Sequence, residues 1–184
     1  MSNPVDDRES RFVALYQATC GDLVRFVQRR APEAQVEDVV EEAFLVAWRR
    51  LEDVPRQASD ARAWMFGIVR KTILNNQRGT RRQQALAVRL AEATTTWSPD
   101  DADLVARQVD LRRAWKQLSA VQQEALALVV IDDLSARQAA AVLGVTPVVF
   151  RLRLSRARHA LRAHLGHHAA PAATTAGLTE RHTS

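Results

Sequence analysis

Residues 135–150 read Ser135-Ala-Arg-Gln-Ala-Ala-Ala-Val-Leu-Gly144-Val-Thr-Pro-Val-Val-Phe150, and that order predicts two short helices meeting at a tight turn. Ser135 suits an N-cap, and Gln138 stands three residues on, as in a capping box. Ala139 and Ala140 are small, as two closely crossing helices require, and Leu143 is expected to face the core. Gly144 fits a turn position with positive φ, and Val145 is expected beneath the turn. Thr146 suits the cap of the second helix, with Pro147 at its first position. Phe150, Leu154, Ala157 and Leu161 then continue an apolar stripe at spacings of 4, 3 and 4. This leaves Val148, Val149, Arg151, Leu152, Ser155, Arg156 and Arg158 on the outer face. Composition alone equally allows a helical hairpin with a basic exposed side. The succession of small residues, Gly and Thr-Pro favours a helix-turn-helix, whose second helix enters the major groove. Its first turns then meet base edges and its later arginines meet phosphates.

Outward from this motif the chain reads as all-α. Residues 104–118 and 121–131 are amphipathic; Leu111, Trp115 and Leu118 mark one expected core face, and Val121, Leu126, Val129 and Val130 the other. Residues 92–103 lose the helical stripe, contain Pro99 and turn acidic from Asp100, as expected of a linker. Further upstream, 61 to the high 70s carries a stripe of Ala61, Trp64, Met65, Ile68, Val69, Thr72 and Ile73. Asp60 is its expected cap, after a loop at 52–60. In 36–51, Val36, Val39, Val40, Ala43, Phe44, Ala47 and Leu51 share one side. Acidic Glu37, Asp38, Glu41 and Glu42 lie near the start, where the helix dipole favours them. Residues 8–30 suggest one or two helices punctuated by Gly21 and Pro32. The fold class expected is two small helical domains, 8–82 and 106–166, joined by a flexible acidic linker at 83–105. Residues 167–184 form a tail expected to be disordered.

The 184 residues include one cysteine, Cys20, so a disulfide framework is excluded and a reducing, cytoplasmic setting is expected. Cys20 reads as a small core residue rather than a redox thiol. No secretory leader or membrane-spanning run is visible, and no membrane insertion is expected. His164, His167 and His168 lack a carboxylate or cysteine at ligand spacing, so no metal or cofactor is assigned. The net charge of +5 falls in blocks. Residues 61–90 hold 7 basic and no acidic groups, and 136–184 hold 7 basic and 1 acidic; the segments 1–60 and 91–135 are each net −4. Two basic segments suit contacts with phosphate backbones, and the acidic ones suit solvent or a basic protein surface.

Residues 36–51, Val-Glu-Asp-Val-Val-Glu-Glu-Ala-Phe-Leu-Val-Ala-Trp-Arg-Arg-Leu, resemble region 2.2 of the extracytoplasmic-function sigma factors. The stretch from Trp64-Met65-Phe66-Gly67-Ile68-Val69-Arg70-Lys71 to Arg81-Arg82 resembles regions 2.3 and 2.4. Residues 111–165, including Arg-Leu-Ser-Arg-Ala-Arg at 153–158, resemble region 4. The resemblance covers about 8–82 and 106–165. It implies a specificity subunit that docks on the β′ clamp helices of core RNA polymerase through Asp38, Glu41, Glu42, Leu45 and Trp48. It implies reading of a single-stranded −10 element by Arg62, Arg70, Lys71, Asn75, Asn76, Arg78, Arg81 and Arg82. The −35 duplex would meet Arg137, Thr146, Val148, Val149, Arg151, Leu152, Ser155, Arg156 and Arg158. The second unit would also touch the β flap, and 92–103 would thread the RNA exit path. An anti-sigma factor is a further implied partner. Where the family usually has Gln this chain has Glu41, and where it usually has Asn it has Lys71. Val148 and Val149 stand where a small residue and Thr are usual. The competing reading, a stand-alone helix-turn-helix regulator, leaves the acidic helix at 36–51 and the basic block at 61–90 unexplained. An enzyme is disfavoured: no Gly-rich phosphate loop, metal spacing or Ser/His/Asp set is visible.

Overall fold

A computed structural model of the chain describes residues 4–77, 86–90 and 102–168, with α-helices and no strand among them. Three helices form the first unit: α1 (Pro4–Gln28), α2 (Val36–Arg49) and α3 (Ala58–Asn76). They enclose a core that includes Leu23, Phe26, Val27, Val39, Ala43, Phe44, Met65 and Val69. The rings of Phe26 and Phe66 stack with centroids 4.7 Å apart. Gly21 does not break α1, which runs through it. A mid-helix glycine costs about 1 kcal/mol, and the full burial of Leu23, Phe26 and Val27 just beyond it outweighs that. Pro32 follows the end of α1, where Arg30 and Ala31 both donate backbone bonds to the Val27 carbonyl. The expected loop at 52–60 is shorter than read: α3 already begins at Ala58, with Gln57 at the N-cap position. Asp60 is therefore no cap. It lies in the first turn with its carboxylate turned to another helix.

Four helices form the second unit: α4 (Ala102–Gln117), α5 (Ala120–Val130), α6 (Ala136–Leu143) and α7 (Pro147–His168). The face expected at 104–118 is buried at two of its three marked positions. Leu111 is exposed, and Ala114, Trp115 and Leu118 are buried. On α5 the buried run is Gln123 to Leu128, whereas Val121 and Val130 face outward. The pattern misleads here because Gln123 and Glu124, polar in sequence, are drawn inward by partners on other elements. The helix-turn-helix follows its local chemistry closely. Ser135 and Gln138 form a reciprocal capping box, and Gly144 adopts a left-handed φ of 65°. The Thr146 hydroxyl accepts from the Val149 N–H at 3.3 Å. Ala139, Ala140, Phe150, Leu154 and Ala157 are buried; Leu143 is half-buried, and its neighbour Val142 takes the deeper place.

The two units are joined face to face, with α3 lying on α6. At their crossing a Cβ on Gly67 would stand 4.0 Å from the Val142 Cα. Residues 86–90, within the stretch expected to be linker, form an extended strap that buries Leu86 and Val88. Its backbone bonds both units. The Val88 N–H donates to Gln123 Oε1 at 3.0 Å, and Trp115 Nε1 donates to the Val88 carbonyl at 2.6 Å. The Arg89 N–H donates to the Arg29 carbonyl at 2.9 Å. The linker residues 91–101 and the tail from 169 lie outside the described residues.

Candidate nucleic-acid and polymerase interface

The outer face of α7 is open. Thr146, Val148, Val149, Arg151, Leu152, Ser155, Arg156 and Arg158 are all exposed, with Val148 at 66%. Helical periodicity sends Phe150, Leu154 and Ala157 into the core, so these outer positions are left for a partner. Val148 and Val149 head the helix, where a recognition helix meets base edges, and valines suit thymine methyls. Arg151, Arg156 and Arg158 make no ion pair among the described residues. Arg137, grouped with them from sequence, is elsewhere. Its Nη2 donates to both Asp60 carboxylate oxygens, at 3.0 and 2.8 Å.

The candidates on α3 separate into two sets. Lys71, Asn75 and Asn76 are exposed. Arg62 and Arg70 instead face the second unit. Arg70 is buried and grips Glu124 of α5 with two bonds, Nε to Oε1 at 2.7 Å and Nη2 to Oε2 at 3.2 Å. Arg62 donates through Nε to Asp22 and through Nη1 to the Asp132 carbonyl at 2.8 Å. Arg78, Arg81 and Arg82 lie outside the described residues.

Asp132 is the hub that sequence reading missed. It is wholly buried at the end of α5, beside Asp133, which takes a left-handed φ of 51°. Its two carboxylate oxygens each accept from an arginine of the first unit, Arg29 and Arg30, both at 2.6 Å. Burial pulls the Arg30 pKa down, and the attraction of Asp132 partly restores it. Asp60 accepts from Gln138 at 2.8 Å as well as from Arg137. Gln138 and then Arg137 hold the Asp60 carboxyl below the usual carboxylate range. Asp22 is also lowered: burial opposes this, but Arg62 and Arg25 prevail. Around these pairs α3 and α6 border a cleft of about 530 Å³, lined by Trp64, Gly67, Ile68, Leu74 and Val142 with Lys71 at its edge. Glu124 and Asp132 stand in the acidic block 91–135, but their partners lie 54 and about 100 positions earlier, beyond any local pattern.

The remaining candidates lie on α2. Asp38, Glu41, Glu42 and Leu45 are exposed, as are Val13 and Tyr16 of α1, whose Tyr16 ring lies 4.7 Å from that of Phe44. The rings of Phe12 and Trp48 meet edge-on at 5.1 Å, and Arg8 covers the Trp48 ring at 4.8 Å. Trp48 is thus half-buried and occupied by neighbours of its own chain. Carboxylates beside exposed apolar side chains suit a basic protein surface with apolar pockets. Cys20 is a half-buried free thiol. Among the described residues no helix is long and apolar enough to cross a membrane, and no cluster of His, Cys, Asp or Glu is arranged to hold a metal ion.

Residues 15–83 match Sigma-70 region 2, and residues 108–161 match Sigma-70 region 4. The ECF RNA polymerase sigma factor SigL of Mycobacterium tuberculosis is 31% identical over 151 residues, which cover 81% of this chain and 85% of that protein. The RNA polymerase sigma factor CnrH of Cupriavidus metallidurans is 31% identical over 144 residues, 73% of this chain and 75% of that protein. The solved structure of CnrH in complex with the cytosolic domain of CnrY aligns over 85% of this chain and 88% of its own, with a TM-score of 0.56 and 28% identity. The RpoE–NepR co-crystal structure from Bartonella quintana shares the fold, with a TM-score of 0.54 at 23% identity. Two helical units in this order, a helix-turn-helix with an open basic face and these relatives lead to one assignment: the chain belongs to the extracytoplasmic-function sigma factors, and it directs transcription initiation as a subunit of RNA polymerase.

Proposed function

We propose that α7 reads the −35 duplex through Val148, Val149, Arg151, Leu152, Ser155, Arg156 and Arg158, with Thr146 at the entry of the helix and Arg137 joining from α6. The observation that carries this is the wholly exposed face running from Thr146 to Arg158 behind a left-handed Gly144. Valines reach base edges and arginines reach phosphates. On α3, Lys71, Asn75 and Asn76 meet the opened −10 strand, where amides bond unpaired bases and the cation tracks the backbone; Arg62, Arg70, Arg78, Arg81 and Arg82 are assigned to the same strand. The face of Asp38, Glu41, Glu42 and Leu45, together with half-buried Trp48, docks on the β′ clamp helices of core polymerase. Region 4 also meets the β flap. An anti-sigma factor of the kind seen bound to CnrH and RpoE is a further partner.

The test is run-off transcription with core polymerase on genomic fragments. The wild-type chain is expected to start transcripts at defined positions. Leu45→Asp is expected to abolish co-purification with core polymerase. Arg151→Ala with Arg156→Ala is expected to spare co-purification and to lower transcription at least tenfold. Specific duplex binding with no polymerase association would favour a stand-alone regulator.

A further inference from the structure

We propose that the cleft of about 530 Å³ bordered by α3 and α6 binds a small amphipathic carboxylate, with its apolar body inside the cleft and its carboxylate on Lys71. The inference does not depend on the promoter-reading roles assigned above. Size and lining come first. Ligand sites measure about 300–1,000 Å³ and combine apolar walls with a few placed polar groups. Here Trp64, Ile68 and Leu74 supply the α3 side, and Ala141, Val142 and Leu143 the α6 side. Trp64, Leu74 and Leu143 are only half-buried, and Ala141 is exposed. The walls therefore keep apolar surface in water, and an apolar body that covers it is favoured.

The charges decide the head group. Arg50, Arg70, Lys71 and Arg137 line the cleft against a single acid, Asp60. The three arginines already meet carboxylates: Arg70 meets Glu124 at 2.7 Å, Arg137 meets Asp60 at 2.8 Å, and Arg50 meets Asp53 at 2.9 Å. Arg50 also lies over the Trp64 ring, 5.6 Å from its centroid. Asp60 accepts a further bond from Gln138, whose Oε1 accepts in turn from the Ser135 N–H. Lys71 differs: it is exposed and makes no ion pair among the described residues. An occupant that covered this ammonium without offering an acceptor would bury an unpaired charge, which is strongly unfavourable. A carboxylate there makes a charge-assisted hydrogen bond instead. Because the other charges on the lining are paired, the site calls for one negative charge, and a dianion or a neutral molecule fits it less well.

Octanoate is the probe, with 1-octanol as its uncharged counterpart, each titrated into the full chain by isothermal calorimetry. Octanoate is expected to bind saturably, one molecule per chain, and about tenfold more tightly than octanol, as a hydrogen bond to a charged group provides. Lys71→Gln is expected to erase that preference, lowering octanoate affinity to the level of octanol and leaving octanol unchanged; a merely loosened fold would weaken both. Ala141→Trp sets a bulky ring on an exposed lining position. It is expected to weaken both probes about tenfold with unchanged far-ultraviolet circular dichroism. Absence of saturable octanoate binding, equal affinity of the wild-type chain for the two probes, or wild-type octanoate affinity in either variant would overturn the proposal. So would a tenfold gain in octanoate affinity on deletion of residues 169–184, which would give the cleft to the chain's own tail.

Discussion

Two cationic helices, α3 and α7, look alike in sequence and differ in what their charge is free to do. On α7 the arginines at 151, 156 and 158 stand in solvent. On α3 Arg70 is buried against Glu124, and Arg62 is held between Asp22 and the Asp132 carbonyl. A basic residue is therefore a nucleic-acid contact only in the conformation that releases it. On α7 the arginines face solvent; on α3 Arg62 and Arg70 are turned to carboxylates, and Lys71 alone of its described cations is exposed.

The largest break in this contrast is expected from Asp132→Ala. It strands Arg29 and Arg30, the latter wholly buried, and removing one partner of a buried pair costs about 3–5 kcal/mol. A urea titration is expected to show a lower midpoint; an unchanged midpoint would mean that these arginines already find water. Next comes Gly144→Ala, which forces a side chain into the left-handed region at about 1–2 kcal/mol. Its Cβ would meet nothing within 4 Å, so thermal unfolding reads the backbone penalty with no clash added. Arg156→Ala sharpens the comparison from the other side. Its stability is expected to stay within about 0.5 kcal/mol, while duplex affinity falls and the salt slope drops by about 1. A stability loss resembling that of Asp132→Ala would show that α7 is not the free helix described. The smallest effect is that of acid. The Asp60 and Asp22 carboxyls are held low in the folded chain. Their stabilisation is therefore complete above about pH 4 and fades as pH falls through the lowered values. Chemical-denaturation midpoints at pH 5 and pH 3 are expected to converge more in Asp60→Asn than in wild type.

Legibility in the sequence follows the range of the interaction. Ser135, Gln138, Gly144, Thr146 and Pro147 act on neighbours within four positions, and the structure has each where its chemistry placed it. The apolar stripe of α2 was equally plain, because its other face is polar; on α3 the expected stripe is buried except for half-buried Trp64, and Ala63, Phe66 and Arg70 are buried beside it. On α5 the phase was lost, since Gln123 and Glu124 are buried while Val121 and Val130 are not. Nothing near Gln123 announces that it bonds the strap, or near Glu124 that Arg70 awaits it. Asp60 illustrates the same limit: its position suggested a cap, and a helix almost eighty residues away claimed it.

The strap at 86–90 has a kinetic consequence. Because Val88 and Arg89 bond the two halves from within one polypeptide, each half meets the other at a local concentration on the order of millimolar, as short tethers provide. A contact too weak to join separate molecules at micromolar levels thus stays shut inside one chain, and dilution does nothing to it. Cut between residues 90 and 102, the same halves would meet as strangers in solution, and their reunion would depend on how much of each was supplied.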